Sequence, residues 1–225
     1  MENTSVIVRL QDACKSFRKN GKSLLVLNDV SLAINRASFT VLSGLSGSGK
    51  TTLLKIIGGY EHPDSGNIFF NERDIGSLND AELTNFRRQN VGMIFQDYYL
   101  DENLTFRENI ELPAMFADLT DAEIKQRTAE LVADTDLVKR LDHYPTEISG
   151  GQAQRAAILR AIYLRPELIL ADEPTSNIDD LNARLVLDML KRFSERGHTI
   201  LVASHDARVL AYADYAIKLS EGKIA

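Results

Sequence analysis

One octet constrains the fold of this chain more than any other stretch: residues 44–51 read Gly-Leu-Ser-Gly-Ser-Gly-Lys-Thr. It matches G-x-x-x-x-G-K-[ST], the P-loop pattern that cradles phosphates. An apolar, strand-favouring segment at 38–42 precedes it, and a helical segment at 52–57 follows it and ends at two glycines. A strand, a glycine turn and a helix start direct backbone N–H groups and a positive helix dipole to one point. The sequence therefore predicts a nucleotide-binding site at this turn.

Residue types within the octet indicate separate roles. Lys50 is expected to pair with the β- and γ-phosphates of a nucleoside triphosphate, and the Thr51 hydroxyl is expected to bind Mg²⁺. The alternative is a flexible glycine turn that fits the pattern by accident, which the flanking strand and helix disfavour. Next to these two residues, Ser46, Gly47, Ser48, Gly49 and Thr52 are also expected to contact the nucleotide.

Composition excludes several classes of protein. The chain has 225 residues, with 26 Lys and Arg against 32 Asp and Glu and a net charge of −6, so we expect no nucleic-acid partner. The single cysteine, Cys14, excludes an intramolecular disulfide and a multi-cysteine zinc site. Residues 1–5 lack the basic and apolar regions of a secretory signal, and no apolar run approaches the length of a membrane span. A cytoplasmic protein is expected, with any membrane role supplied by a partner.

The order of predicted elements indicates an α/β fold. After residue 168, strands and helices alternate, which is typical of a parallel sheet covered on both faces. Between about 97 and 163 the pattern is helical, and Thr120 and Glu123 have capping-box spacing. The predicted strands are 6–10, 24–34, 39–43, 67–70, 91–95, 168–171, 199–203 and 215–219, with a turn at 63–66 and further helices near 80–88 and 179–196.

Two adjacent carboxylates end the apolar segment 168–174, Leu-Ile-Leu-Ala-Asp-Glu-Pro. Acids at the end of a buried strand are costly unless a cation or water satisfies them. In a P-loop protein an acid here holds Mg²⁺, which suits Asp172. Successive strand side chains point to opposite sides, so Glu173 is expected to act differently, by orienting or deprotonating the attacking water. The alternative for the pair is a solvated strand end.

A glycine-rich helix start lies at 148–152, Ile-Ser-Gly-Gly-Gln. Ser149 and Gln152 have capping-box spacing, while Gly150 and Gly151 each weaken the first turn by up to about 1 kcal/mol. Bare glycines would let an anion approach the helix N-terminus; the alternative is an ordinary glycine-containing loop.

Two single polar residues follow predicted parallel strands. Gln96 follows strand 91–95, and His205 lies just after strand 199–203. Ligands bind at the carboxyl edge of such sheets, so we expect both residues beside Lys50 and Asp172.

The chain resembles the ATP-binding subunit of an ABC transporter over essentially its whole length. The resemblance rests on six motifs in this order: the octet 44–51, Gln96, residues 148–152, residues 168–174, Ser-Asn-Ile-Asp at 176–179, and His205. The surrounding sequence is most similar to the lipoprotein-releasing, macrolide-export and cell-division branch. The resemblance implies one domain over 1–225. It would combine a P-loop NTPase core with a parallel sheet (1–96 and 164–225), an N-terminal antiparallel β subdomain, and a helical insert (97–163) that carries the 148–152 signature.

The resemblance also implies an ATPase that works as a head-to-tail dimer, with ATP and Mg²⁺ bound between the two copies. Ser149, Gly150, Gly151 and Gln152 of one copy would complete the P-loop site of the other. Asp179, at the end of Ser-Asn-Ile-Asp, would lie in a loop that crosses the dimer.

Further residue roles follow from the resemblance. Asp172 would bind Mg²⁺, Glu173 would be the catalytic base, and His205 would contact the γ-phosphate. Gln96 would contact Mg²⁺ and the attacking water and link to a membrane partner. Phe17 stands where the family places an aromatic residue, usually Tyr, that stacks on adenine; phenylalanine keeps that stacking face.

Function is expected to depend on an integral membrane permease, with this chain peripheral on the inner face of the membrane and residues 97–115 near the contact. A regulatory tether that gates a membrane protein without moving cargo is the alternative. A chromosome-maintenance ATPase is disfavoured because no sustained heptads separate Lys50 from Asp172.

Overall fold

A computed structural model describes residues 6–19, 21–133 and 135–225. Residues 1–5, where no secretory signal is expected, lie outside this part of the chain. The described strands are β1 (Val6–Lys19), β2 (Lys22–Asn35), β3 (Phe39–Ser43), β4 (Ser65–Phe70), β5 (Arg73–Asp74), β6 (Val91–Ile94), β7 (Leu168–Asp172), β8 (Thr199–Ser204), β9 (Tyr215–Ser220) and β10 (Lys223–Ile224). The described α-helices are α1 (Lys50–Ile57), α2 (Asp80–Asn90), α3 (Phe106–Glu111), α4 (Asp121–Val132), α5 (Gly150–Ala161), α6 (Asp180–Glu195) and α7 (Ala207–Leu210).

A six-stranded sheet in the order β10-β9-β3-β8-β7-β6 forms the centre of the fold. Neighbouring strands from β9 to β6 run parallel, and β10 pairs antiparallel with β9. The central strands β7 and β8 are buried at every position, which matches a sheet whose two faces are both covered. The predicted α/β class with a parallel sheet is therefore confirmed.

Alternation along the strands divides the core into two layers. On β7, Leu168 and Leu170 pack with α1 and the antiparallel sheet β2-β1-β4-β5, while Ile169 and Ala171 face the other side. That second side is covered by α3, α5 and α6. Because successive side chains of a strand point to opposite faces of the sheet, one strand contributes residues to both layers.

Helical structure fills the stretch between β6 and β7, as the periodicity predicts. Besides α3, α4 and α5, it contains 3₁₀ turns at Leu112–Phe116, Asp136–Arg140 and Pro145–Glu147. The Thr120 hydroxyl caps α4 by accepting from the Glu123 N–H, and the Thr120 N–H donates to the Glu123 carboxylate. Both bonds of that capping box are therefore confirmed. In the described part of the chain, no helix is both long enough and apolar enough to span a bilayer.

Several predicted boundaries were wrong, for identifiable reasons. The strand predicted at 6–10 continues to Lys19, with register shifts near Asp12, whose φ is +51°. The turn predicted at 63–66 ends early, since β4 already begins at Ser65. The strand predicted at 91–95 ends at Ile94. The two-residue strands β5 and β10 were not predicted, because so short a segment has no period.

Candidate active site

The predicted chemistry converges on one edge of the parallel sheet. Four adjacent strands, β3, β8, β7 and β6, end there: the octet 44–51 follows β3, His205 follows β8, and Gln96 follows β6 after one residue. Asp172 is the last residue of β7 and Glu173 comes next. Parallel strands place these residues together although they are far apart in sequence, and this edge is where such sheets bind ligands.

A cavity of about 350 Å³ opens between these strand ends. Among the predicted residues, Ser46, Gly47, Gly49, Lys50, Thr51, Thr52, Gln96, Glu173 and His205 line it, together with Val26 and Ser176. Ser48 and Asp172 are buried beside it rather than in its wall. The cavity is large enough for the phosphate end of a nucleotide.

The octet folds as a turn into α1, which begins at Lys50 rather than at the predicted residue 52. Gly47 has a φ of +79°, and no atom of the described part of the chain lies within 4 Å of the position of a Cβ there, so the backbone faces open space. Lys50 is only 6% exposed, and its Nζ donates to the carbonyl oxygens of Gly44 (2.8 Å) and Leu45 (3.1 Å). Two bonds hold the ammonium under the loop and leave its third proton for another acceptor.

Asp172 has the environment of a cation ligand. Its Oδ1 is buried and has no hydrogen-bond partner among the residues that the structure describes. Burial raises the pKa of the carboxyl, the hydroxyl of Thr51 beside it lowers the pKa, and the charge of Glu173 raises it again. An orphaned buried carboxylate oxygen next to a hydroxyl fits a Mg²⁺ ion, which takes one or two carboxylates and completes its shell with water and phosphate oxygens. No cluster of three or more His, Cys, Asp or Glu ligands occurs among the described residues.

Glu173 is fixed through both carboxylate oxygens. Its Oε1 lies 2.8 Å from Nδ1 of His205 and 3.6 Å from Nζ of Lys50. Its Oε2 accepts a 3.0 Å bond from the hydroxyl of Ser204. The backbone at Glu173 is left-handed, with a φ of +47°, immediately before Pro174. This turn at the end of β7 carries the carboxylate into the cavity wall, on the same side as Lys50.

The glycine-rich helix start lies outside that cavity wall. The Ser149 hydroxyl caps α5 by accepting from the Gln152 N–H, and the Ser149 N–H donates to the Gln152 Oε1, which confirms the predicted capping box. Gly151 was expected to admit an anion, but the side chain of Asn182 covers it: a Cβ at 151 would lie 2.1 Å from the Asn182 Cγ. Gly150 and Ser149 remain at least partly exposed.

Two other predicted residues also lie apart from the cavity lining. Asp179 is exposed and caps α6, accepting from the backbone N–H (2.9 Å) and the side-chain amide (2.6 Å) of Asn182. Phe17, on β1, is 39% exposed, and the Lys15 ammonium lies 5.4 Å from its ring centroid. Within one copy of the chain, the helix start at 149–152, Asp179 and Phe17 therefore lie outside the lining of the cavity that contains the P-loop residues.

Besides Val26, three polar residues near the site were not identified from the sequence. Ser204 contacts Glu173, and Ser176 lines the cavity and donates to the Glu173 carbonyl oxygen. Asn182 joins Asp179 to Arg155 of α5, whose Nη1 donates to Oδ1 of Asn182 over 2.9 Å. Ser204 adjoins His205 at a strand end, which is a usable signal; the contacts of Asn182 depend on how α5 and α6 pack.

Comparison with known families and proteins agrees with this geometry. The family model described as ABC transporter matches residues 27–176. The lipoprotein-releasing system ATP-binding protein LolD of Treponema pallidum is 39% identical over 219 residues, covering 97% of each chain. The macrolide export ATP-binding/permease protein MacB of Campylobacter jejuni is 40% identical over 218 residues, which cover 97% of this chain but 33% of MacB. The chain thus spans about a third of the length of the MacB relatives it matches.

A solved structure gives the same result. The ATP-binding cassette MJ0796, in a dimeric post-hydrolysis state bound to ADP and Pi, superposes with a TM-score of 0.89 at 34% identity, covering 97% of this chain and 96% of that one. The antiparallel sheet, the parallel sheet and the helical stretch described above therefore form the fold of an ATP-binding cassette. The family match extends from β2 to beyond Asp172 and Glu173 at the end of β7, and LolD is similar over nearly the whole chain. This chain therefore belongs to the ABC transporter family.

Proposed function

We propose that this chain is the ATP-binding and ATP-hydrolysing subunit of a membrane ABC transporter, of the lipoprotein-release or macrolide-export type. The observation that carries the proposal is the convergence of the P-loop, Asp172, Glu173, His205 and Gln96 around one cavity. The names of the LolD and MacB relatives support the transporter type.

In this proposal the P-loop holds the phosphates of ATP. Gly47, Gly49, Lys50, Thr51 and Thr52 line the cavity. Their backbone N–H groups would donate to phosphate oxygens, and Lys50 would pair with the β- and γ-phosphates. Thr51, Asp172 and Gln96 supply oxygen ligands for Mg²⁺. When bound, Mg²⁺ would neutralise charge that develops on the phosphates.

Hydrolysis would use Glu173 as the base. Its Oε1 lies in the cavity wall beside Lys50, so it can accept a proton from a water aligned with the γ-phosphate. His205 is 63% exposed, and from its place beside Oε1 its ring can contact the γ-phosphate. We assign Phe17 to stacking on the adenine ring, since it offers an exposed aromatic face.

A second copy of the chain would complete the site. Ser149, Gly150, Gly151 and Gln152 are absent from the cavity wall, and the first two are at least partly exposed at a helix N-terminus, where N–H groups favour an anion. Asp179 is exposed nearby and linked to α5 through Asn182. We assign these residues to the ATP held by the other copy, in a head-to-tail dimer, with Gly151, which Asn182 covers, contributing only through its backbone N–H. The matched cassette structure is itself a dimer.

The permease would contact a groove beside β6. A cavity of about 560 Å³ lies there, with an apolar wall that includes Met93, Phe95 and Phe116, and with Arg87 and Arg88 at the same site. Phe116 is 66% exposed. The groove adjoins Gln96 along the chain, so a partner segment seated in it would be close to the proposed Mg²⁺ site. Such contact would place this chain on the cytoplasmic face of the membrane.

A trapping experiment tests the hydrolytic assignment. Glu173→Gln should bind ATP, lose turnover and accumulate as an ATP-bound dimer in size-exclusion chromatography with light scattering. Glu195→Gln, an exposed glutamate at the end of α6, should behave as wild type. Unchanged ATP turnover in Glu173→Gln would contradict the proposal.

A second experiment identifies the membrane partner. Affinity purification from solubilised membranes should recover a permease through the groove, and Phe116→Asp should lose it. A co-purifying membrane protein without a transport pathway would instead indicate the regulatory tether.

A further inference from the structure

The hydroxyl of Ser204 contacts the proposed base but has no part in the function proposed so far. Ser204 is the last residue of β8 and is 1% exposed. Register pairing of Asp172 with Ala203 brings Ser204 alongside Glu173 at the edge of the sheet. The Ser204 Oγ lies 3.0 Å from Oε2 of Glu173, the oxygen that faces away from Lys50 and His205.

Hydrogen bonding gives this contact a direction. The backbone N–H of Asp206 donates to the Ser204 Oγ over 3.1 Å. A hydroxyl that accepts from an N–H keeps its own single proton for donation, and Glu173 Oε2 is the acceptor that the structure places there. The bonds therefore run from Asp206 N–H through Ser204 to the carboxylate.

The two oxygens of Glu173 thus have different surroundings. Oε1 faces the cavity, where it meets the mostly exposed side chain of His205 and the ammonium of Lys50. Oε2 is bound by a buried hydroxyl whose position is set by the strand and by the backbone of Asp206. The contact at Oε2 is fixed by the fold, because a buried serine at a strand end has little freedom.

We propose that Ser204 is a positioning residue for Glu173: it binds Oε2 and thereby holds Oε1 toward the attacking water. The inference rests on the proposed function, in which Glu173 is the base. A glutamate has three side-chain torsions, and displacement of a reacting group by about 1 Å can lower a rate by about 100-fold. Fixing one oxygen restricts the other to the cavity.

Steady-state kinetics of single variants give the first test. Ser204→Ala should lower kcat for ATP hydrolysis by about 10- to 100-fold, with KM for ATP and the affinity for a fluorescent ATP analogue within about two-fold of wild type. Ser204→Thr should restore most of kcat, because it returns the hydroxyl. Ser204→Val has the shape of threonine without the hydroxyl and should stay slow, even if the alanine variant folds poorly.

A matched control removes a buried hydroxyl beside the opposite edge of the same sheet. Ser38 precedes β3, at the end of the sheet opposite the cavity, and its Oγ donates to the Asn35 carbonyl oxygen over 2.7 Å. Ser38→Ala should leave kcat unchanged. A crystal structure of Ser204→Ala should show the Glu173 carboxylate rotated or in two positions.

Combined variants separate this inference from the proposed function. In a Glu173→Gln background, Ser204→Ala should cause no further loss of residual turnover, since both act through one group. If wild type hydrolyses ATP and Glu173→Gln keeps only a small residual rate, three results would overturn the inference alone: normal kcat in Ser204→Ala, a full additive loss of the residual rate in the double variant, or equal rates for the threonine and valine variants. If wild type shows no turnover, or Glu173→Gln keeps it, the proposed function fails as well.

Discussion

Replacing Gly151 by alanine should destabilise the fold, although a glycine-to-alanine change in a solvent-exposed helix stabilises that helix. Gly151 lies in the first turn of α5, where alanine is favoured over glycine by up to about 1 kcal/mol. A Cβ there would lie 2.1 Å from Cγ and Oδ1 of Asn182 and 2.6 Å from its Cβ. No van der Waals contact is that short, so Asn182 or a whole helix must move.

The magnitude follows from what Asn182 holds. Its Oδ1 accepts from the buried guanidinium of Arg155, a bond to a charged group worth about 1.5–3 kcal/mol. Its amide donates to Asp179 on the surface, which contributes about 0.5–1 kcal/mol. Losing both bonds outweighs the helix propensity gained, and we expect a net loss of about 1–3 kcal/mol, the usual cost of overpacking.

Urea unfolding measures this loss. The midpoint for Gly151→Ala should fall by on the order of 0.5–1 M, with little change in the slope. Asn182→Gly removes all three atoms nearest the new Cβ and should itself be destabilised, because it loses both bonds. In that background, Gly151→Ala should cost nothing or stabilise by up to about 1 kcal/mol.

The decisive result is the sign of the stability change that Gly151→Ala causes in the Asn182→Gly background. If Gly151→Ala destabilises equally in both backgrounds, the contact with Asn182 is not the reason for glycine at this position. If the single variant is as stable as wild type, α5 and α6 separate more easily than their packing indicates.

Two further predictions concern nucleotide affinity and pH. Phe17→Ala should weaken ATP binding by about 1–3 kcal/mol, roughly 5- to 150-fold in Kd, because a stacked base loses its platform; an unchanged Kd in a fluorescent-nucleotide titration would remove Phe17 from the site. The Lys191 ammonium, at 2.7 Å, and the backbone N–H of Phe39 hold the pKa of Asp214 below its ordinary value. A lowered folded-state pKa means that this stabilisation is present above the unfolded pKa and is lost as pH falls through the folded one. Asp214→Asn should therefore flatten stability against pH in the acid range, and an unchanged acid limb in urea titrations would refute the assignment.

How far the sequence predicts this molecule depends on the range of the interactions involved. Local signals were sufficient for the capping boxes at Thr120 and Ser149, since both partners lie within one helical turn. The edge that gathers the octet, Asp172 and His205 was also predictable, because parallel strands share one direction.

Contacts between distant elements could not be predicted. The cover of Asn182 over Gly151 depends on how α5 crosses α6, and no periodicity encodes that crossing. The bond from Ser204 to Glu173 depends on the register of β8 against β7, which is set by the whole sheet. Strand β1 was predicted too short because its bulges interrupt the alternation on which the prediction relied.

The left-handed backbone at Glu173 has a consequence for how such chains diverge. A non-glycine residue with positive φ costs about 1 kcal/mol or more, and the following proline makes the helical region less favourable still. Glu173→Gly should therefore be more stable toward urea than Glu173→Ala, whose Cβ keeps the strain. A duplicated gene released from the need to hydrolyse ATP could relieve this strain by replacing the glutamate with glycine while its P-loop stayed intact. Decay would then begin at the base, and its first product would be a scaffold that still binds ATP.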